Sequence, residues 1–166
     1  MENLNIDGAE FRKILGNYPT GVTLVSAKDE KGPFAMVIGS FGSVSLDPAL
    51  VQFMPAKGSK TWERIAATGN YCVNVLNEKQ LPLSNSFFDK EKDPFNAIEW
   101  REGTTGSPII KDCVAWVDCV IGDIHDAGDH YIVIGEVQEI GCENQTDGPL
   151  LFLGGSYGSF TELTES

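Results

Sequence analysis

Three cations crowd one short segment of an acidic chain. Lys57, Lys60 and Arg64 fall within eight residues, around Ala56-Lys57-Gly58-Ser59-Lys60-Thr61-Trp62. The segment follows an apolar run and opens a predicted helix. Free N–H groups, the positive end of the helix dipole, ammonium groups and the hydroxyls of Ser59 and Thr61 would converge there on an anion. The plainer alternative is a solvated helix start. A second segment, Gly39-Ser40-Phe41-Gly42-Ser43-Val44-Ser45-Leu46-Asp47-Pro48, packs three hydroxyls and two glycines into seven residues. Small residues let a ligand approach the backbone, and hydroxyls and N–H groups can hold its polar atoms. The alternative is a Ser/Gly-rich turn. The third candidate is Gly128-Asp129-His130-Tyr131, a turn offering an imidazole and an aromatic face.

Other motifs carry less. Gly154-Gly155-Ser156-Tyr157-Gly158 fits G-x-S-x-G, but no His follows it to serve the serine. Gly58-Ser59-Lys60-Thr61 breaks the G-K-[ST] of a phosphate loop and lacks the upstream Gly. Cys72, Cys113, Cys119 and Cys142 form no C-x-x-C, and with His125 and His130 the only histidines, no metal site is expected. The cysteines read as free thiols, with Cys113 and Cys119 on one face of an unbroken strand.

The elements that must position these groups come from short apolar runs. Strands are predicted over Gly21–Ala27, Phe34–Ile38, Ala49–Met54, Tyr71–Leu76, Cys113–Ile124, His130–Ile140 and Leu150–Leu153, rich in Val, Ile and aromatics and bounded by turn residues. Gly122 and Gly135 predict bulges inside the two longest. Those two strands should pair as a hairpin with the Gly128–Tyr131 turn at its tip. Helices are predicted from Asp7 to Leu15, from Thr61 to Thr68 with Gly69 as the stop, and over Glu78–Ser86. Phe88–Gly106 reads as a long surface loop or lid. Both Ser/Gly- and Lys-bearing segments border strand Ala49–Met54, one at each end. They meet only if the first folds back or another strand bridges them.

The chain has 166 residues, 42% hydrophobic and 22% charged, with net charge −12. That predicts one globular domain over residues 1–166 with its core at about 8–158. Clustered Lys/Arg for nucleic acid or an anionic membrane is missing, and no apolar run reaches the roughly 20 residues of a membrane span. The N-terminus lacks a signal-peptide pattern. The expectation is a cytoplasmic protein. Strands outnumber helices without regular alternation, which predicts a mainly β fold, an antiparallel barrel with appended helices.

Taken in order, several segments carry a resemblance. They are Phe11-Arg12…Leu15-Gly16…Pro19-Thr20-Gly21-Val22-Thr23, Ser40–Pro48, Lys57–Trp62, Tyr71–Leu76, Gly106-Ser107-Pro108, and Gly128–Tyr131 with Gly135-Glu136-Val137. In this order the chain resembles the flavin reductase family, the small reductase components of two-component flavin-dependent monooxygenases. The resemblance spans about residues 8–158.

It implies a split β-barrel that binds FMN or FAD, as a homodimer with flavin near the subunit interface. It implies hydride transfer from NADH or NADPH to flavin and release of the product to an oxygenase. Carried over by position, Val37, Ile38, Gly39 and Ser40 would line the isoalloxazine edge. Ser43, Ser45, Ala56, Lys57, Ser59, Lys60 and Thr61 would sit near the ribityl chain and phosphate. Asp129, His130 and Tyr131 would contact the nicotinamide nucleotide, with His130 the one catalytic candidate. The family's G-M-T-x-N-S-F reads Ala35-Met36-Val37-Ile38-Gly39-Ser40-Phe41 here, so its Thr and Asn are replaced by Val37 and Gly39. The second Pro of its D-P-P is Ala49, and the Arg of its R-G-x-Y is Gly154. Two alternatives stand beside a reductase: a flavin-binding carrier without turnover, and an oxidase on the same barrel.

Overall fold

The computed structural model describes residues 6–89 and 93–163. Helix α1 (Gly8–Leu15) precedes β1 (Thr20–Gly21), β2 (Thr23–Asp29), β3 (Gly32–Ile38), β4 (Gly42–Leu46) and β5 (Ala49–Phe53). Helix α2 (Lys60–Thr68) leads into β6 (Asn70–Val75), and α3 (Leu81–Ser86) follows a 3-10 turn. The second half holds β7 (Trp100–Glu102), β8 (Pro108–Ile110), β9 (Ala115–Ala127), β10 (His130–Gly141), β11 (Leu151–Leu153) and β12 (Ser156–Gly158).

Seven strands form one antiparallel sheet in the order β3-β2-β6-β9-β10-β5-β4. Two small sheets, β1-β11-β12 and β7-β8, flank it. The expected mainly β, antiparallel character is found. The closed barrel is not: β3 and β4 remain the edges of an open sheet, with no ladder joining them among the described residues. Helix α2 packs against β2, β3 and β6, burying Trp62 and Ile65 in a core shared with Val25, Phe34, Val51, Phe53 and Tyr71. Each such side chain withdrawn from water contributes about 1.5–3 kcal/mol.

Local signals place the helix ends. The Asp7 carboxylate accepts from Ala9 N–H at the start of α1, and the Ser59 hydroxyl accepts from Trp62 N–H at the start of α2. Gly69 ends α2 at φ 74°, the left-handed cap that suits glycine. Both predicted bulges coincide with a slip in the β9–β10 ladder, where Gly122 and Asp123 face Ile134 alone, just before Gly135.

Four expectations change. The Gly39–Pro48 segment is not a loop, because its middle pairs with β5 as edge strand β4; an edge position tolerates its polar and glycine content. Cys113 precedes β9 and packs with Cys72 and Trp116, whereas Cys119 belongs to the main core, so the two share no strand face. The predicted third helix starts as the 3-10 turn Glu78–Gln80, capped by Asn77. The supposed lid contains the 3-10 turn Pro94–Asn96 and strand β7, and its residues 90–92 lie outside the described part.

Buried polar groups hold the flanking β7–β8 hairpin to the sheet. Asn74 Nδ2 donates to Ser26 Oγ (2.9 Å) and to the carbonyls of Leu24 and Pro108 (both 3.2 Å), while its Oδ1 accepts from Ile110 N–H at 2.7 Å. Asp118 accepts from Thr105 N–H (2.7 Å) and Oγ1 (2.6 Å), and burial pushes its carboxyl above the ordinary range. A half-satisfied network of this kind would cost more than an apolar core, so the full set of partners matters.

Candidate functional site

The β9–β10 hairpin turns on Gly128 and Asp129, with His130 already paired to Ala127. Gly128 has φ 65°, the conformation that the first position of a tight two-residue hairpin of the II′ kind asks of glycine. The tip does not project freely. Lys57 N–H donates to the Asp129 carbonyl (3.0 Å), Tyr131 N–H donates to the Pro55 carbonyl (3.0 Å), and Ala56 bridges His130. The Lys-bearing segment and the hairpin tip are therefore one structure.

The Ser/Gly segment joins them. Because β4 runs back along β5, with Gly42 opposite Gln52, the start of the segment lies at the far end of β5. There Ser40 Oγ accepts from Met54 N–H at 2.9 Å and donates to the Met54 carbonyl at 3.3 Å. The geometric question left by the sequence is answered by this fold-back. Ser43 and Ser45 do not join the cluster: they lie along β4, Ser45 opposite Leu50 near the other end.

Next to Ser40, Val37, Ile38 and Gly39 line a groove of about 190 Å³ with Thr20, Gly21, Val22, Phe88, Phe152 and Tyr157. The Phe152 and Tyr157 rings meet edge to face at 5.1 Å. Gly39 is tight against Thr20, since a Cβ there would come within 2.9 Å of Oγ1. The Thr20 hydroxyl thus fills the space where the resemblance would place an Asn side chain. The sequence did not point to Thr20, Phe152 and Tyr157 as groove residues, because they reach the groove through the pairing of β1 with β11 and of β11 with β12. Larger clefts, of 430 and 480 Å³, lie elsewhere and are lined largely by charged or polar side chains such as Lys28, Asp29, Glu30, Lys31 and Arg64. Thr61 faces the second of these rather than Lys57.

The cations are not equivalent. Arg64 donates from both Nε and Nη2 to Asp29 Oδ2 and lies over Phe34 at 3.8 Å, so it is a structural residue. Lys57 Nζ sits 2.5 Å from Asp126 Oδ1 and 5.2 Å from the centre of the Tyr131 ring; the hydrogen bond to Asp126 holds its pKa above the ordinary range. Lys60, exposed in the first turn of α2, has no ion pair among the described residues. Ser59 spends its hydroxyl on the helix cap.

His130 and Tyr131 do not present their rings together. Successive strand residues point to opposite faces. Tyr131 packs inward beside Trp62, with ring centres 6.1 Å apart, while His130 Nδ1 meets Asp129 Oδ1 at 2.7 Å. The bond to His130, and the nearby Arg12, keep the Asp129 carboxyl below its ordinary range. An ionised carboxylate only accepts, so Nδ1 is the donor and Nε2 is the nitrogen left to act. Among the described residues no cluster of His, Cys, Asp and Glu could hold a metal ion.

An apolar groove with an aromatic wall and close backbone suits a flat conjugated ring. The start of α2, with Lys57 and Lys60, suits an anionic tail, and the two lie within a few residues of one another through Ser40 and Met54. The likenesses to known proteins agree with that composite. The family model described as "Flavin reductase like domain" matches residues 15–161. A protein named flavin reductase from Pseudomonas putida is 46% identical over 159 residues, covering 95% of this chain and 93% of its own. The reductase subunit HsaB of a flavin-dependent monooxygenase from Mycobacterium tuberculosis is 42% identical, covering 92% of this chain and 82% of its own. The solved structure of the Streptomyces globisporus NADH:FAD oxidoreductase SgcE6, in complex with NAD and FAD fragments, superposes with a TM-score of 0.86 at 33% identity, covering 93% of each chain. With nearly its whole length matched, this chain belongs to the flavin reductase like domain family.

Proposed function

We propose that the protein is an NADH- or NADPH-dependent flavin reductase that supplies reduced FMN or FAD to a partner oxygenase in the cytoplasm. The observation that carries this reading is the convergence at one end of β5. The groove at Val37–Gly39, the cationic start of α2 and the His130 hairpin tip are joined by Ser40–Met54 and Lys57–Asp129 hydrogen bonds. The relatives support it: one is named for the activity, one for its place in a monooxygenase, and one was solved with fragments of both cofactors.

Flavin and nicotinamide supply the hydride chemistry when both are bound. The chain's part is positioning, worth most when reacting groups are held at near-attack distance. Val37, Ile38 and Gly39 offer the ring an apolar wall, with backbone groups in place of the missing Thr and Asn side chains. Lys57 and Lys60 hold the phosphate. His130, its tautomer set by Asp129, offers Nε2 toward the nucleotide. A single core takes Phe34 and Ile38 from edge strand β3 and Val51 and Phe53 from β5, near the other side of the sheet, which favours the split-barrel description. Helix α1 buries none of its residues and leaves Phe11, Ile14 and Leu15 open, and Leu46 and Ile140 are also exposed. A second copy covering such apolar surface is the homodimer reading.

The role of the hairpin tip has its own test. His130→Ala should raise KM for the nicotinamide nucleotide, or slow flavin bleaching in stopped flow, about three- to tenfold, the worth of one hydrogen bond. Flavin affinity and melting temperature should hold, because the ring is half exposed and, among the described residues, its side-chain hydrogen bond is to Asp129. Lower thermal stability with unchanged bleaching would leave His130 as a turn residue only.

A further inference from the structure

Asp126 stands in a position that the proposed function does not use. It lies on β9 directly across the ladder from Tyr131, so both side chains emerge on the same face, toward Lys57. Its carboxylate meets the Lys57 ammonium at 2.5 Å, yet its side chain is 80% exposed. Among the described residues Lys57 is its only ion-pair partner. A pair this exposed contributes little to folding. The Lys57 backbone is held separately, by its hydrogen bond to Asp129, so the side chain can change partners without moving the loop.

We propose that Asp126 is an internal competitor for the flavin phosphate: it occupies Lys57 in the empty protein and must yield when a phosphate arrives. This rests on the reading of Lys57 as a phosphate ligand. The exchange replaces one ion pair by another, so the phosphate gains only the difference between them. Asp126 thereby sets an upper limit on how tightly a phosphorylated flavin is held. Weak, exchangeable holding suits a protein that must hand its product on. The acidic chain makes the effect specific: Asp126 touches the ammonium, whereas Asp123, three residues earlier and exposed, carries the same charge with no ion pair among the described residues.

The test is a set of flavin titrations on the full chain, with FMN and with riboflavin, which lacks the phosphate. Asp126→Asn should tighten FMN about three- to fivefold, the range that an exposed ion pair allows, and leave riboflavin unchanged. Asp126→Glu should restore parental affinity, and Asp123→Asn should change little. In a Lys57→Ala background the gain from Asp126→Asn should vanish. Unchanged or weaker FMN binding by Asp126→Asn, with Lys57→Ala still weakening FMN and sparing riboflavin, would overturn the competitor and leave Lys57 as a ligand. An equal gain from Asp123→Asn would also overturn it, as a general charge effect. If Lys57→Ala spared the preference for FMN over riboflavin, the reading of Lys57 itself would fall, and the competitor with it.

Discussion

Removing both Lys57 and Lys60 as alanines is expected to weaken FMN binding at least tenfold while riboflavin binding changes little. The two lysines stand at the start of α2, where N–H groups already favour an anion. A charge-assisted contact is worth about 1.5–3 kcal/mol, so the loss of even one productive contact reaches that range. The pairing of Lys57 with Asp126 makes Lys60, which has no ion pair among the described residues, an immediate contributor. The fold should tolerate the change, since neither side chain is buried and the α2 cap belongs to Ser59. Parallel titration with both flavins is the check. Equal losses would place the phosphate elsewhere.

The largest stability effect is expected at Gly135. It is buried in β10 opposite Val51, and a Cβ there would overlap the Tyr71 hydroxyl and approach Cζ to 2.8 Å. Tyr71 cannot move aside easily: it is fully buried and its ring packs edge to face on Phe53 at 5.0 Å. Gly135→Ala should therefore cost about 1–3 kcal/mol, as overpacking does. In a domain of this size that lowers the melting temperature by roughly 2–12 °C. The Tyr71 hydroxyl is buried with only the weakly bonding Cys119 thiol beside it, so Tyr71→Phe alone should change stability little. Combined with Gly135→Ala, it should recover part of the loss. Thermal melts of the two single variants and the double variant decide it. A Gly135→Ala melt matching the parent would mean that the strand can shift at this point.

These two sites mark what a sequence discloses. Helix ends are local chemistry, and Asp7, Ser59 and Gly69 act where their types and spacing place them. The long hairpin was legible too, because β-branched runs on both sides of Gly128-Asp129 leave few other pairings. Strand β4 was not, since Gly42, Ser43 and Ser45 have weak strand preference and pair only because β5 is beside them. The reason for Gly135 lies 64 residues away, at Tyr71, and only the β6–β9–β10 order brings them together. In the same way the sequence pointed to Lys57 and His130 separately. It could not show that Lys57 pairs with Asp126, that Tyr131 turns inward, or that Thr20, Phe152 and Tyr157 complete the groove.

On the proposed function, this chain catalyses electron transfer from a nicotinamide nucleotide to flavin. The most direct test is the visible spectrum of the purified protein mixed anaerobically with FMN or FAD, followed after addition of NADH or NADPH. The flavin band should bleach far faster than in the same mixture without protein, and admitting air should restore it. Bleaching no faster than the protein-free blank, with flavin demonstrably bound, would contradict it and leave a flavin carrier in its place.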